Sequence, residues 1–272
     1  MRYKLFAFDL DGTLLDDEKQ LTPANARALG EIVHAGGTVV FATGRLGSSM
    51  EKYVPPALDD VALVTLNGAE VCMGKRHGAR CVHYAPLTKT VADHLVDHAR
   101  NREFVLNYYI DGNLYAIHNA RTAPWIDLYF NQTGSHYRFV PSLDEFRGRA
   151  PSKIIFVGAP ETLDEQERHF RNRWGDSVYI CRTWDYYLEF LDPQANKAAG
   201  LDALTRAYNI PWPEVAAFGD AENDIPLLRR AGLGIAMANA PEAVRAVADR
   251  ISPWTNNQDG IAREWELLKA VL

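Results

Sequence analysis

The amino-acid sequence predicts an α/β fold whose sheet is built from the two ends of the chain, with a domain of different texture inserted between them. Three observations carry this. Short β-branched and aromatic runs alternate with helical patterns in a block at each end. Neither block alone holds enough strands for a doubly wound sheet, and the stretch between them instead pairs strands around tight turns.

In the N-terminal block, Leu5 to Leu10 reads as a buried strand and Pro23 to Ala35 as a helix, followed by strands at Thr38 to Ala42 and Ala62 to Leu66. Helical connections make such strands parallel. In the C-terminal block, helices are predicted at Leu201 to Tyr208, Ile225 to Ala231, Pro241 to Ala248 and Ile261 to Val271, with strands at Val215 to Phe218 and Leu233 to Met237. The two blocks together supply five or six strands. The middle opens with a helix that places Val91, Leu95, Val96 and Ala99 on one face. It continues with strands around Asp111-Gly112-Asn113, the stretch Trp125 to Phe130, a strand at Lys153 to Val157 and a charged helix from Glu161 to Trp174. Strands at Val178 to Cys181 and Tyr187 to Leu191 complete it. The predicted division is therefore a core of residues 1–83 and 192–272 with an inserted α+β domain over residues 84–191.

The chain has 272 residues, 47% apolar and 24% charged, and a net charge of −6 from 29 basic and 35 acidic side chains. That length buries about three quarters of the unfolded surface, so no disulfide scaffold is required. Cys72, Cys81 and Cys181 form an odd set without a C-x-x-C pair, which predicts neither a disulfide framework nor a zinc knuckle and favours a cytoplasmic setting. No apolar run approaches the ~20 residues of a membrane span, and the opening stretch is too short and too soon acidic for a signal peptide. Basic residues are scattered rather than striped, so neither nucleic acid nor membrane is an expected partner. The eight histidines are read as surface or satisfied core residues without metal-ligand spacing.

Four local patterns carry chemistry. Phe8-Asp9-Leu10-Asp11-Gly12-Thr13 ends the first strand, and Gly12 permits a turn that re-aims Asp11. Ligands of open α/β sheets bind at this edge, although Asp and Gly also form plain turns there. Phe41-Ala42-Thr43-Gly44-Arg45 ends the second strand, offering the Thr43 hydroxyl and the Gly44 N–H to an oxyanion; Thr-Gly is also an ordinary strand end. Lys197 opens a helix, where a cation opposes the helix dipole, yet taken alone a solvated lysine is the plainer reading. Gly219-Asp220-Ala221-Glu222-Asn223-Asp224 follows an apolar strand; its oxygens suit a hard cation such as Mg2+, and Asn223 or Asp224 also suits a helix cap.

Taken in order, these motifs resemble the haloacid dehalogenase-like superfamily of aspartate-nucleophile phosphohydrolases, and within it the Cof-type branch. That branch has D-x-D-G-T-L, T-G-R, N-G-A (here Asn67-Gly68-Ala69), an inserted α/β cap, a lysine and G-D-x-x-N-D. The resemblance covers essentially the whole chain and implies a Rossmann-like parallel-sheet core with an inserted α+β cap domain. One departure is Asp192-Pro193-Gln194-Ala195-Asn196-Lys197, which lacks the glycine often found between proline and lysine; it reads as loop variation.

The resemblance implies that Asp9 is the nucleophile and that Asp11 is the general acid and base. Mg2+ would be held by a side-chain oxygen of Asp9, the backbone carbonyl of Asp11 and the carboxylate of Asp220, with Asp224 acting directly or through water. Lys197 would cancel charge in catalysis and touch phosphate. Thr43, Gly44, Asn223 and the backbone at Leu10 would hold phosphoryl oxygens. Aspartate rather than threonine at position 11 implies turnover rather than a stable phosphoenzyme. The expected function is a Mg2+-dependent phosphatase of a small phosphorylated metabolite, with sugar phosphates the expected class and the insertion acting as a lid that sets specificity. A phosphomutase with the same nucleophile is the alternative, and a phospho-accepting signalling module is opposed by the chain's length. Tyr108, Tyr109, Tyr115, Trp125, Tyr129, Trp184, Tyr186 and Tyr187 of the insertion read as domain core before they read as a sugar platform.

Overall fold

A computed structural model describes residues 2–55, 58, 61–74 and 80–270. The chain divides into two compact units, Met1–Tyr84 with Asn196–Leu272, and Ala85–Ala195. Strands and helices are numbered along the whole chain.

The first unit contains β1 (Leu5–Phe8), α1 (Pro23–His34), β2 (Thr38–Ala42), β3 (Ala62–Thr65), β4 (Glu70–Cys72) and β5 (Cys81–Tyr84). After the insertion it resumes with α5 (Lys197–Tyr208), β12 (Val215–Gly219), α6 (Ile225–Arg230), β13 (Leu233–Ala236), α7 (Glu242–Arg245), β14 (Arg250–Ile251) and α8 (Gly260–Lys269). One sheet runs in the order β14-β13-β12-β1-β2-β3-β4-β5. The strands from β14 to β3 are parallel, and β4 and β5 turn back antiparallel.

Alternation along β1 explains the layers. Phe6 and Phe8 face α1 and α8 in a core with Leu29, Ile32, Trp265 and Leu268, while Leu5 and Ala7 face α5 and α6 through Leu201, Leu204, Leu227 and Leu228. Strands buried on both faces read as continuous apolar runs, which is why LFAF and TVVFA are so plain in the sequence. Register then positions the chemistry. Phe8 is level with Phe41 on one side and Phe218 on the other, so the residues following β1, β2 and β12 leave the sheet at one edge.

The sheet has more strands than the five or six predicted. β4 and β5 are three and four residues long, too short to show a period, and β14 has only two. The register of β4 on β5 sets Cys72 opposite Cys81, and the two form a disulfide. This corrects the cysteine reading: an odd count does not prevent one pair, with Cys181 left free.

The inserted unit holds α2 (Lys89–His98), β6 (Val105–Ile110), β7 (Asn113–Ala116), α3 (Ala123–Thr133), β8 (Tyr137–Phe139), β9 (Lys153–Val157), α4 (Pro160–Trp174), β10 (Tyr179–Trp184) and β11 (Tyr187–Leu191). Its sheet order is β10-β11-β9-β6-β7-β8. The β6–β7 turn takes positive φ at Asp111 and Gly112 (52° and 70°), as a tight hairpin demands. Phe156 and Phe190 pack on Phe170 of α4. Tyr109 and Tyr129 share a hydrogen bond between hydroxyls at 2.5 Å. Of the eight aromatic residues singled out, Tyr108, Tyr109, Tyr129 and Tyr187 are buried, whereas Trp184 is 49% exposed.

Candidate active site

Asp9 is the first residue beyond β1, and its N–H donates to the Phe218 carbonyl at 3.0 Å. Lys197 is the first residue of α5, a helix capped by Asn196, whose side chain accepts the Ala199 N–H at 2.9 Å. The lysine is fully buried, and its Nζ donates to Asp9 Oδ1 at 2.5 Å and Asp224 Oδ1 at 2.6 Å. The other oxygen of Asp224 accepts the N–H groups of Asp220 and Ala221, both at 3.1 Å. Asp220 in turn accepts from the Thr13 hydroxyl at 2.7 Å and from Asn239 Nδ2 at 3.3 Å. Gly12 makes this closure fit. Its φ is 82°, and a Cβ there would lie 2.3 Å from Asp220 Oδ2.

Asp9, Asp220 and Asp224 each offer an oxygen within 4.8 Å of the others. Burial raises the Asp9 carboxyl well above its ordinary value; Lys197 opposes this, and Asp224, Asp220 and Asp11 add to it. Burial pushes Asp220 up to about 7 against the Thr13 hydrogen bond, with Asp224 adding to the rise. Burial works against the charge on Lys197, but the Asp224 and Asp9 carboxylates outweigh it and hold the ammonium protonated. One ammonium thus faces three carboxylates. An all-oxygen set short of positive charge fits a hard divalent cation such as Mg2+.

Asp11 points elsewhere. Arg45 grips it through both oxygens, Nε to Oδ2 at 2.7 Å and Nη2 to Oδ1 at 2.5 Å, and Lys19 approaches Oδ1 at 3.1 Å. Burial would raise the Asp11 carboxyl, but Arg45 and Lys19 overcome this and hold it below the usual range. Arg45 is itself steadied by the Tyr53 hydroxyl, which accepts from Nη1 at 2.6 Å.

Thr43 lies buried beyond β2, its N–H donating to Val64 O at 2.8 Å and its Oγ1 accepting the Arg45 N–H at 3.2 Å. A Cβ on Gly44 would stand 3.1 Å from Asn67 Oδ1, the same atom that accepts from Asn223 Nδ2 at 2.9 Å. Among the described residues, Asn223 Oδ1 is buried without a partner. Leu10 is buried, with its carbonyl accepting the N–H of Leu15 at 2.9 Å.

Sequence reasoning left Arg45, Asn67 and Asn239 without roles. Arg45 and Asn67 sit inside quoted motifs. Asn239, which also donates to Gly12 O at 2.8 Å, follows β13 at the same sheet edge as the other motifs, so the logic that found Asp220 extends to it. The histidine reading also overlooks a spacing. His94 and His98 are four residues apart on α2, and the His98 ring stacks 5.2 Å from His169 of α4.

The chain belongs to the haloacid dehalogenase-like hydrolases: that family's model matches residues 6–264. It is 28% identical over 272 aligned positions to the 5-amino-6-(5-phospho-D-ribitylamino)uracil phosphatase YitU of Bacillus subtilis strain 168, covering 95% of each chain. To the HMP-PP phosphatase of Cronobacter sakazakii it is 31% identical, over 87% of this chain and 85% of the other. The crystal structure of TM0651 from Thermotoga maritima matches with a TM-score of 0.86 at 29% identity, over 97% of both chains. Among the described residues, no helix is long and apolar enough to cross a membrane.

Proposed function

We propose that this chain is a cytoplasmic, Mg2+-dependent phosphatase of small phosphate monoesters, sugar phosphates above all, with Asp9 as nucleophile. The observation that carries this is the double contact of Lys197, a buried ammonium joined to Asp9 and Asp224 beside a third carboxylate at the sheet edge.

An Asp9 oxygen attacks phosphorus and the bond from phosphorus to the leaving alcohol breaks; Asp11, which Arg45 and Lys19 hold ionised at rest, leaves that grip, takes a proton from solvent and gives it to the leaving oxygen. Asp11 then takes a proton from the water that attacks the aspartyl phosphate, which releases phosphate and restores Asp9. Thr43, Gly44, Asn223 and the Leu10 backbone hold phosphoryl oxygens, and Lys197 offsets the charge between carboxylate and phosphate. Asp9, the Asp11 carbonyl, Asp220 and Asp224 would hold Mg2+, which would supply the remaining charge cancellation. Arg45 and Lys19 act as positioning residues that fix the resting place of Asp11. The core of residues 1–83 and 192–272 carries the chemistry, and the inserted domain of residues 84–191 selects the substrate.

Phosphate release measured over a panel of phosphorylated metabolites, with Mg2+ and with excess EDTA, tests this reading. Turnover of small esters that stops with EDTA and returns with Mg2+ supports it; full activity after chelation and dialysis contradicts it.

A further inference from the structure

Within the inserted unit, a pocket of about 250 Å³ opens between the end of α2, the start of β6 and the loop entering α3. Its floor is apolar, formed by the buried side chains of Phe104, Leu106 and Leu143. Three arginines line it, Arg100, Arg102 and Arg121, and no aspartate or glutamate does. In a chain with net charge −6, this gathers three cations in one lining, with Asp97 and Asp144 beside Arg100 just outside it.

The arginines differ in what already satisfies them. Arg100 is paired with Asp97 and Asp144. Arg102 donates its Nε to the His98 carbonyl at 3.3 Å, which uses one of its donors and neutralises a helix-end carbonyl. Arg121 donates Nη2 to Asn101 Oδ1 at 3.1 Å. Among the described residues, neither Arg102 nor Arg121 has a carboxylate partner. A guanidinium is a rigid fork for carboxylate, sulfonate or phosphate oxygens, and its flat face packs on an apolar or aromatic body. Small-molecule sites combine an apolar lining with a few converging polar groups. Here the volume lies just below the roughly 300 Å³ at which such pockets begin, which sets the size of the occupant.

We infer that this pocket binds a small organic anion, with the apolar body of the ligand on Phe104, Leu106 and Leu143 and its anionic group between Arg102 and Arg121. The site shares no residue with the Asp9 cluster, and the inference stands whether or not the proposed phosphatase chemistry is right. The ligand need not be a phosphate ester. A sulfonate or carboxylate of the same size meets the same groups.

A fluorescence titration with 1-anilinonaphthalene-8-sulfonate tests it, because that probe has an apolar body and one anionic group and cannot be hydrolysed as a phosphate ester. Its uncharged analogue, N-phenyl-1-naphthylamine, separates apolar contact from charge. The titration is run on the wild-type chain, on Asp9→Asn and on Arg102→Gln/Arg121→Gln. Both arginines are exposed, so the double variant should melt as the wild type does. We expect one saturable site for the sulfonate, tighter than for the neutral analogue. Its affinity should fall at least about fivefold in the double variant and stay unchanged in Asp9→Asn. Equal affinity in the double variant, equal binding of the neutral analogue, or loss of binding in Asp9→Asn would each overturn the assignment.

Discussion

Each unit buries a lysine against carboxylates, and the two lysines serve opposite ends. In the inserted unit, Lys153 of β9 lies 3.1 Å from Glu189 of β11, both almost without exposure, and Thr183 Oγ1 donates to the same glutamate at 2.8 Å. In the core, Lys197 meets Asp9 and Asp224 while Asp220 stands within reach of both. Among the described residues, only the core gathers three acidic groups close enough for one ion. The lesson lies in the ratio of charges. A lysine facing one carboxylate closes a sheet interior, whereas a lysine facing three leaves a site that still seeks positive charge.

The largest effect that would break this contrast is at Lys197. Lys197→Met should lower kcat/KM roughly a thousandfold, since the proposed mechanism then loses a preorganised charge beside the reacting phosphate. Adding Asp224→Asn should not restore it, because the need is for charge and not for neutrality. Steady-state kinetics on a small phosphate ester decides this, and recovery of activity in the double variant would show that Lys197 is only structural.

At Lys153 the outcome should be reversed. Lys153→Met takes the ammonium away from the buried Glu189 carboxylate, so the chain should lose about 3–5 kcal/mol of stability in denaturant unfolding. Adding Glu189→Gln should recover most of that loss and leave kcat little changed. If neutralising both partners failed to rescue stability, the two lysines would not differ as described.

A smaller effect belongs to the Cys72–Cys81 disulfide, which joins residues nine apart on neighbouring strands. Its reduction should remove about 2–3 kcal/mol by freeing a short loop in the unfolded chain. The melting point should fall with dithiothreitol in the wild type and not in Cys72→Ser/Cys81→Ser.

The smallest effect is a pH slope from α2. Burial first, then Arg173 and His169, holds His94 below its ordinary 6.5. Burial and Arg102 do the same to His98 against the hydrogen bond its ring gives to Gln166 Oε1. The folded chain therefore binds fewer protons than the unfolded chain just below pH 6.5. This share of stability is complete above that value and is lost as pH falls through the lowered folded values. His94→Asn/His98→Gln should melt with a shallower loss between pH 7.5 and 5.5 than the wild type; an equal slope would place the acid sensitivity elsewhere.

These residues also show what a sequence can disclose. Asp9, Thr43 and Asp220 were legible because each follows a strand buried on both faces, whose apolar run ends abruptly in polar residues. The long strands and helices were legible for the same reason. β4, β5 and β14 were not, since two to four residues carry no period, and the disulfide depends on their register. Arg45 stood in a recognised motif, but its grip on Asp11 depends on a turn at Gly12 that only the folded chain reveals. The contact of Lys197 with Asp9 joins residues 188 apart, a distance no local pattern spans. Lys153 opens a strand that the sequence predicts, but nothing nearby in sequence announces Glu189.

The central claim is that Asp9 takes the phosphoryl group. Its most direct test is an acid-quenched single turnover with a small ester carrying labelled phosphorus, with Mg2+ present, followed by peptide mapping. The label should appear on Asp9 as a hydroxylamine-labile acyl phosphate, decay as free phosphate forms, and be absent from Asp9→Asn. Phosphate release at the wild-type rate with no labelled chain at any time, or a label on any other residue, would contradict it.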